Sequence, residues 1–211
     1  MRRIERSNCP EILANNEKTW LAAYKADPEN STKKYKYRHA DIKDAIKADA
    51  KNKCMFCESK IGHNTPGDVE HFAPTSEVID LHFSWFNLGL CCNECNRRKG
   101  TYYEPTCMFL NPYSDAVDDR VLHFGPVMGW APGDAEAEVS IRELKLNSDE
   151  RIALIIRKTI ALQSLSELIG RLTAETREPL RRVLLMRLDE MKNENSEYSG
   201  MLREAAQRMG Y

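Results

Sequence analysis

Two C-x-x-C pairs constrain the fold of this chain more than any other feature. Cys54 and Cys57 form the first pair, Cys92 and Cys95 form the second, and residues 58–91 lie between them. Each C-x-x-C makes a tight turn that presents two sulfurs together, so two such turns complete the tetrahedral shell that zinc prefers. The spacing therefore predicts one structural Zn²⁺ held by four cysteines.

The segment around the cysteine pairs shows why the fold needs a metal. Between Cys54 and Tyr103, short apolar stretches alternate with Gly, Asn and Pro, so the segment can bury little apolar surface. Structural zinc contributes about 10–16 kcal/mol of apparent binding free energy in small zinc fingers, which exceeds the stability of many domains. A closed shell of four cysteines leaves no position for a substrate, which predicts a structural role.

Other interpretations of the cysteines stay open at this point. The two pairs could be coincidental buried thiols, a redox C-x-x-C, or the ligands of an iron–sulfur cluster. Cys91 could replace Cys92, although C-x-x-x-C makes a poorer turn. Cys9 and Cys107 are predicted to be inert buried thiols. Disulfides are not expected, because the reducing cytoplasm keeps thiols free.

The charge distribution divides the chain into three parts. Residues 1–53 carry 13 Lys+Arg and 8 Asp+Glu (+5), residues 54–144 carry 6 and 14 (−8), and residues 145–211 carry 12 and 10 (+2). This excludes a uniformly basic nucleic-acid-binding module but leaves a basic N-terminal arm, which could equally be a solvated helix face. No apolar run approaches the roughly 20 residues that span a bilayer, and no signal peptide is recognisable. We therefore expect a cytoplasmic protein with no membrane partner.

The hydrophobic periodicity predicts an α+β fold that is predominantly helical. Helical spacing in PEILANNEKTWLAAYKAD and RHADIKDAIKADAKNK predicts an N-terminal helical arm over residues 1–53. Residues 54–111 lose the helical period and contain the cysteine pairs. Residues 112–211 are predicted to hold an irregular segment, a strand in AEVSIRELKL, and a C-terminal helical region with breaks near TREP and NENSEYSG.

The polar residues between and after the cysteine pairs follow a recognisable order. The side chains suited to catalysis or metal binding are those of Glu70, His71, Asn87, Asn96 and Lys99. A carboxylate–His pair, then Asn, then C-x-x-C-N-x-x-K resembles the signature of HNH nucleases, in the variant with Asn in place of the last His. The resemblance implies a ββα-metal core over residues 54–111, in which two strands and a helix surround one divalent cation.

The residue types suit phosphodiester hydrolysis, which needs an activated water, a neutralised phosphate and a stabilised leaving oxygen. A catalytic Mg²⁺ or Mn²⁺ prefers oxygen ligands, and the Glu70 carboxylate and the Asn96 amide oxygen can supply them. His71 titrates near neutral pH when unperturbed, so it is the predicted general base toward water.

The remaining residues of the motif have supporting roles in this interpretation. Asn87 is predicted to hydrogen-bond so that it fixes the loop and the orientation of the imidazole. Arg97, Arg98 and Lys99 are predicted to contact phosphate oxygens of the substrate. Four further histidines lack such neighbours in the sequence and are predicted to be structural: His39, His63, His82 and His123.

A closer resemblance extends to about Arg157. The segments MRRIERS, KCMFCE, VEHFAP, WFNLGLCCNECNRRKG, FLNPYSD and AEVSIRELKLN are similar to those of the PtuB-like HNH nucleases, effectors of Septu and retron-associated anti-phage systems. Glu70 stands where many HNH enzymes have aspartate, which alters the reach of this ligand.

The resemblance implies partners and a substrate. It implies a toxin-like nuclease held by a PtuA-type ATPase, with a retron reverse transcriptase and its msDNA as further partners. The substrate is a nucleic acid, either DNA or RNA, including tRNA. The alternative is a non-catalytic zinc module that docks a partner protein or a nucleic acid.

Overall fold

The computed structural model describes residues 1–62 and 67–211, and within them it is mostly helical, as predicted, with two small antiparallel sheets. The helices are α1 (Glu11–Ala14), α2 (Glu17–Ala26), α3 (Ser31–Lys34), α4 (Ala40–Asp49), α5 (Asn93–Lys99), α6 (Val117–Arg120), α7 (Ala135–Glu143), α8 (Ile152–Ala174), α9 (Glu178–Lys192) and α10 (Ser199–Arg208). The strands are β1 (Asp68–His71), β2 (Leu88–Cys91), β3 (Val121–Phe124) and β4 (Val127–Trp130). None of the helices in this part of the chain is long and apolar enough to cross a bilayer.

The N-terminal arm is helical, but its first predicted helix is interrupted. The chain turns between α1 and α2, where the Asn16 side-chain amide donates a hydrogen bond of 2.9 Å to the Ile12 carbonyl and competes with helix continuation. The second predicted helix is α4, and its two isoleucines, Ile42 and Ile46, are completely buried. Their spacing of four residues places both on one face, as the periodicity required.

The predicted strand in AEVSIRELKL is wrong, because this segment forms helix α7. The Asp134 side chain caps the helix by accepting a hydrogen bond of 3.0 Å from the Ala137 amide. The buried residues Ser140 and Ile141 lie three and four positions after the buried Ala137, a spacing that places all three on one face of a helix. The apolar–polar alternation around Val139 is too short to distinguish the two-residue period of a strand from the 3.6-residue period of a helix. The strands of this region, β3 and β4, lie earlier in the chain.

Strands β1 and β2 form the antiparallel pair that carries the candidate site. Asp68 lies opposite Cys91 and His71 lies opposite Leu88. Only Cys92 separates β2 from α5, and α5 packs on β1. The pair is anchored in a hydrophobic core to which residues from the whole chain contribute, including Leu13, Phe56, Leu90 and Leu165, all at most 1% exposed.

A buried arginine connects the N-terminus to β2. The Arg6 guanidinium lies 3.6 Å from the ring centre of Tyr113 and 4.6 Å from that of Trp85, and it donates a hydrogen bond to the Leu88 carbonyl. Asp49 of α4 lies 3.8 Å away. Stacking on aromatic rings offsets part of the cost of burying this cation. The contact holds the first residue of β2, directly opposite His71.

The C-terminal helices return to the first cysteine turn. The Gly200 amide of α10 donates a hydrogen bond of 3.2 Å to Glu58, and the Tyr198 hydroxyl lies 3.2 Å from the Ser59 hydroxyl. Glu58 is 3% exposed and also pairs with the Lys53 ammonium. The C-terminal region therefore supports the segment that carries Cys54 and Cys57.

Candidate metal centre and active site

Four cysteines meet in a cluster that could hold a metal ion. The sulfurs of Cys54, Cys57, Cys92 and Cys95 all lie within 4.8 Å of one another, and those of Cys57 and Cys92 are 3.8 Å apart. Zinc–sulfur bonds of about 2.3 Å in a tetrahedron place the sulfurs about 3.8 Å apart, so the cluster has the size that zinc requires. Within residues 1–62 and 67–211 it is the one group of three or more His, Cys, Asp and Glu side chains with this closeness.

Cys91 lies beside this cluster but is not one of its four members. It ends β2, and its sulfur contacts the Cys92 carbonyl at 3.5 Å. Burial raises the pKa of the Cys91 thiol well above its ordinary value, which favours the neutral thiol. Cys92 instead precedes α5, and its sulfur accepts a hydrogen bond from the Cys95 amide at 3.5 Å. This turn is the local geometry that C-x-x-C produces.

An arginine that the sequence analysis missed contacts the cysteine cluster. Arg151 is buried, and its guanidinium donates hydrogen bonds to the Cys95 sulfur at 3.4 Å and to the Leu144 carbonyl at 3.0 Å. A cation in this position compensates the negative charge of metal-bound thiolates. Arg151 lies 56 residues after Cys95, and no pattern in the sequence connects the two.

Glu70 is held by a buried ion pair. The Lys99 ammonium, which is completely buried, lies 2.8 Å from the Glu70 carboxylate. Burial raises the pKa of Glu70, and the Lys99 charge and the Asn96 side chain oppose this shift. Asn96 lies one helical turn before Lys99 on α5 and is half-buried. The structure thus brings the side chains of Glu70 and Asn96, the two predicted metal ligands, together between β1 and α5.

His71 lies on the opposite, buried side of β1, because neighbouring residues of a strand point to opposite faces. Its Nε2 donates a hydrogen bond of 2.8 Å to the His82 carbonyl oxygen. Since a carbonyl only accepts, the proton is on Nε2 and the Nδ1 lone pair is available. Nδ1 has no hydrogen-bond partner among the described residues. Burial, with a smaller electrostatic contribution from the neighbouring His82 imidazole, lowers the pKa of His71 to about 3, so the ring is neutral at neutral pH.

Aromatic rings fix the orientation of the His71 imidazole. The His82 ring stacks on it with a centroid separation of 4.6 Å and an angle of 14°, and the Tyr37 ring meets it edge-on at 4.6 Å. The His82 Nε2 donates to the Lys34 carbonyl at 2.8 Å, while the His82 Nδ1 accepts from the Thr75 hydroxyl at 2.8 Å. No motif in the sequence marks either ring: Tyr37 belongs to the N-terminal arm, and His82 is predicted to be structural.

Two of the remaining histidines, His39 and His123, lie away from the site. His39 is exposed and its Nδ1 accepts a hydrogen bond from the Asp41 amide at the start of α4. His123 is buried on β3 and its Nδ1 lies 2.9 Å from Glu204. His63 lies outside the described residues.

The predicted phosphate contacts on α5 are engaged in ion pairs. Arg97 pairs with Glu94 at 3.0 Å, and Arg98 pairs with Glu94 at 2.6 Å and with Glu150 at 3.1 Å. Arg97 is exposed, so its pair with Glu94 contributes little stability and can open. Arg98 and Lys99 have far less exposed side chains.

Asn87 ties together the loop that follows β1. Its side-chain oxygen accepts from the Ala73 amide at 2.7 Å, and its amide donates to the carbonyls of Ala73 and Leu81 at 3.0 and 3.1 Å. Leu81 immediately precedes His82, whose carbonyl holds His71. Asn87 therefore orients the imidazole through the backbone of this loop.

We expect Asn87→Asp to lower the free energy of unfolding by about 1–3 kcal/mol. Aspartate has the same shape but cannot donate, so two buried carbonyl groups lose their donor and face a carboxylate. Urea unfolding measures the effect. Asn8→Asp is the matched control, because Asn8 is exposed, and this change should stay within about 0.5 kcal/mol of the unmodified protein. Equal stability of the two variants would refute the role assigned to Asn87.

Comparison with known proteins identifies relatives of this chain. The Septu protein PtuB of Bacillus thuringiensis is 28% identical over 162 residues, which cover 74% of this chain and 60% of the relative. A second Septu protein PtuB, from Bacillus mycoides strain KBAB4, is 30% identical over 82 residues, or 33% of this chain and 28% of the relative. The resemblance to PtuB-like proteins is confirmed. No protein-family model matches the chain.

The matched region has a limited extent. It spans less than two thirds of the length of either PtuB relative. A function taken from these relatives is therefore a proposal for this chain, and it depends on the residues described above.

Proposed function

We propose that this chain is a metal-dependent endonuclease of the HNH type that hydrolyses phosphodiester bonds of nucleic acids in anti-phage defence. The observation that carries the proposal is the state of His71, a neutral imidazole whose Nε2–H is bound to a backbone carbonyl and whose Nδ1 lone pair is available. Similarity to the Septu proteins PtuB supports the role in defence.

In this proposal, β1, β2 and α5 form a ββα-metal unit held together by structural Zn²⁺. The antiparallel pair, the helix after it and the packing of α5 on β1 support this assignment. Cys54, Cys57, Cys92 and Cys95 would hold the zinc, and the closeness of their sulfurs fits it. Because Cys92 and Cys95 flank the start of α5, the zinc would also fix the helix that carries Asn96.

The donor set around Glu70 fits a hard cation that keeps most of its water. One carboxylate and one amide oxygen are a small protein contribution, which is typical of Mg²⁺ and Mn²⁺ sites completed by water and substrate phosphate. Such a cation, when bound, would neutralise the phosphate and stabilise the leaving oxygen. Lys99 fixes the Glu70 carboxylate and, as a competing cation, weakens its affinity for metal.

The proposed proton transfer uses His71. Its Nδ1 would accept a proton from the attacking water, and the Nε2–H bond to the His82 carbonyl offsets part of the cost that burial imposes on the imidazolium. The stacked His82 and the edge of Tyr37 keep the ring in this orientation. Asn87 holds the loop that supplies the carbonyl.

The proposed partners follow from the PtuB relatives and the resemblance. A PtuA-type ATPase would control the nuclease, and a retron reverse transcriptase with its msDNA would join it in retron systems. The substrate would be DNA or RNA, including tRNA, because the site recognises a phosphate and contains no base-reading element that the described residues reveal.

One observation favours the non-catalytic alternative. The Lys99 ammonium is bound to Glu70 at 2.8 Å and is completely buried, so a cation of the protein already occupies the neighbourhood of the predicted metal ligand. A zinc module that only docks a partner needs no second metal. Metal dependence of cleavage therefore separates the two functions.

We expect the purified protein to cleave plasmid DNA, single-stranded DNA, RNA or tRNA only when Mg²⁺ or Mn²⁺ is added. Glu70→Gln keeps the shape of the side chain but removes its charge, so about 10- to 100-fold more metal should be needed for half-maximal cleavage. Glu77→Gln, on the exposed part of the loop after β1, is the control and should behave as the unmodified protein.

Two results would contradict the proposed activity. If none of the four substrates is cleaved with either metal, by the chain alone or by its complex with the co-purifying ATPase, the protein is not a nuclease. Cleavage that proceeds without added divalent metal would contradict the role of Glu70.

A further inference from the structure

A basic segment of the N-terminal arm lies directly beside His71. Residues 31–40 contain four Lys and Arg and no Asp or Glu, whereas residues 54–144 carry a net charge of −8. The backbone of this segment is joined to the site, because the Lys34 carbonyl accepts the hydrogen bond from His82. Its Tyr37 ring touches the His71 ring, with centroids 4.6 Å apart.

Three cations of this segment lie over aromatic rings. Lys34 is 5.9 Å from the Tyr35 ring, and Lys36 is 5.3 Å from the Trp20 ring. The Arg38 guanidinium lies 4.7 Å from the Tyr35 ring and 5.6 Å from the Tyr37 ring. Within residues 1–62 and 67–211, none of these three cations forms an ion pair with a carboxylate. The arginines of α5 differ, because both are paired with glutamates.

Arg38 has the geometry of a phosphate-binding residue. The exposed guanidinium lies near the two rings and forms no ion pair among the described residues, so it can bind an anion, and two of its N–H groups match two phosphate oxygens. The Tyr37 ring is near both Arg38 and His71, and the Arg38 charge acts on the imidazole, so a phosphate on Arg38 would be close to the imidazole. Tyr35 is 41% exposed and offers a face on which a base can stack.

We propose that residues 33–38, centred on Arg38, bind the phosphodiester backbone of a nucleic acid and hold it against His71. This inference rests on the proposed nuclease function and adds a binding surface to it from outside the motif. It accounts for the basic N-terminal arm of an otherwise acidic chain. Through Lys34, Lys36 and Arg38 it also supplies positive charge that no carboxylate of the described residues pairs, near a site whose own cations, Lys99 and Arg98, are neutralised by glutamates.

The test measures binding separately from cleavage. In a His71→Ala background without divalent metal, the dissociation constants of fluorescent 20-nucleotide DNA and RNA are measured across a salt series. Arg38→Ala should weaken binding about tenfold and lower the slope of log K against log salt by about 0.7–0.9, the loss of one phosphate contact. Arg38→Lys keeps the charge but not the planar fork, so its affinity should lie in between.

Arg187→Ala is the matched control, because Arg187 is exposed on α9 and its loss changes the net charge equally. Equal affinity of Arg38→Ala and Arg187→Ala would overturn the inference. A second result would also overturn it. If Arg38→Ala binds nucleic acid normally but no longer co-purifies with the ATPase, the segment is a protein-binding surface. The unfolding temperature of Arg38→Ala should match that of the unmodified protein, because Arg38 is exposed.

The two proposals fail in different ways. If the unmodified sequence binds nucleic acid through Arg38 but cleaves nothing with Mg²⁺ or Mn²⁺, the nuclease function is wrong and the binding surface stands. If Arg38→Ala, with His71 present, cleaves with unchanged KM, the binding surface is wrong and the nuclease function stands.

Discussion

Cys57→Ala is expected to give a chain that neither folds nor retains stoichiometric metal. Removing one of four ligands opens the shell, and most of the roughly 10–16 kcal/mol of apparent zinc binding free energy is lost. A typical domain has about 5–15 kcal/mol of stability in total, so the remaining core cannot compensate. Metal analysis of the purified protein and circular dichroism measure the two effects.

Cys107→Ala is the matched control for this experiment. Cys107 is a half-buried cysteine outside the cluster, and its alanine variant should bind one zinc per chain and unfold at nearly the same temperature. Cys91→Ala should also retain zinc, because Cys91 is not among the four clustered sulfurs. A folded, metal-free Cys57→Ala protein would show that the core is stable without the metal and would refute the structural role.

His71→Ala is expected to reduce the turnover number for nucleic-acid cleavage by roughly 10²–10⁴-fold, the usual contribution of a general base. KM should change little, because the imidazole acts on water and not on substrate binding. His71→Gln fills more of the space between His82 and Tyr37 but cannot accept the proton, so it should be equally slow. Single-turnover cleavage with saturating Mg²⁺ or Mn²⁺ measures the rate.

The controls distinguish loss of the base from loss of the fold. Zinc content and unfolding temperature of both His71 variants must stay near those of the unmodified protein. His39→Asn replaces an exposed histidine with a residue that still caps α4, and it should leave turnover unchanged. Similar turnover numbers for His71→Gln and the unmodified protein would rule out His71 as the base.

Two features of the fold were predictable because they depend on local spacing. A C-x-x-C sequence forms its turn within four residues, and the clustered sulfurs of Cys92 and Cys95 arise from this turn. Likewise Ile42 and Ile46 share a helix face at any position in a protein, and both are completely buried. The misassigned segment, α7, shows the limit of this approach, since a short apolar alternation also fits a helix whose N-cap is Asp134.

The environment of the candidate site depends on contacts between distant parts of the chain. Lys99 was identified by its place in the C-x-x-C-N-x-x-K motif. That its ammonium is buried against Glu70 depends on the packing of α5 on β1. Arg151 reaches Cys95 across 56 residues, and nothing near either residue indicates this contact. Pairs of this kind depend on how helices and strands pack, and a single sequence contains no local signal for them.

Local sequence patterns established which residue types are available for chemistry and which neighbours lie close along the chain: the cysteine pairs, Glu70 beside His71, and Asn96 one turn before Lys99. The surroundings of these residues depend on contacts between distant segments. Packing places the His71 ring against His82 and Tyr37, and it places Arg38 beside them with no carboxylate partner in the part of the chain that the structure describes. The reason is physical: turns and helix faces follow from backbone geometry over a few residues, whereas burial, ion pairing and ring stacking follow from packing of the whole chain.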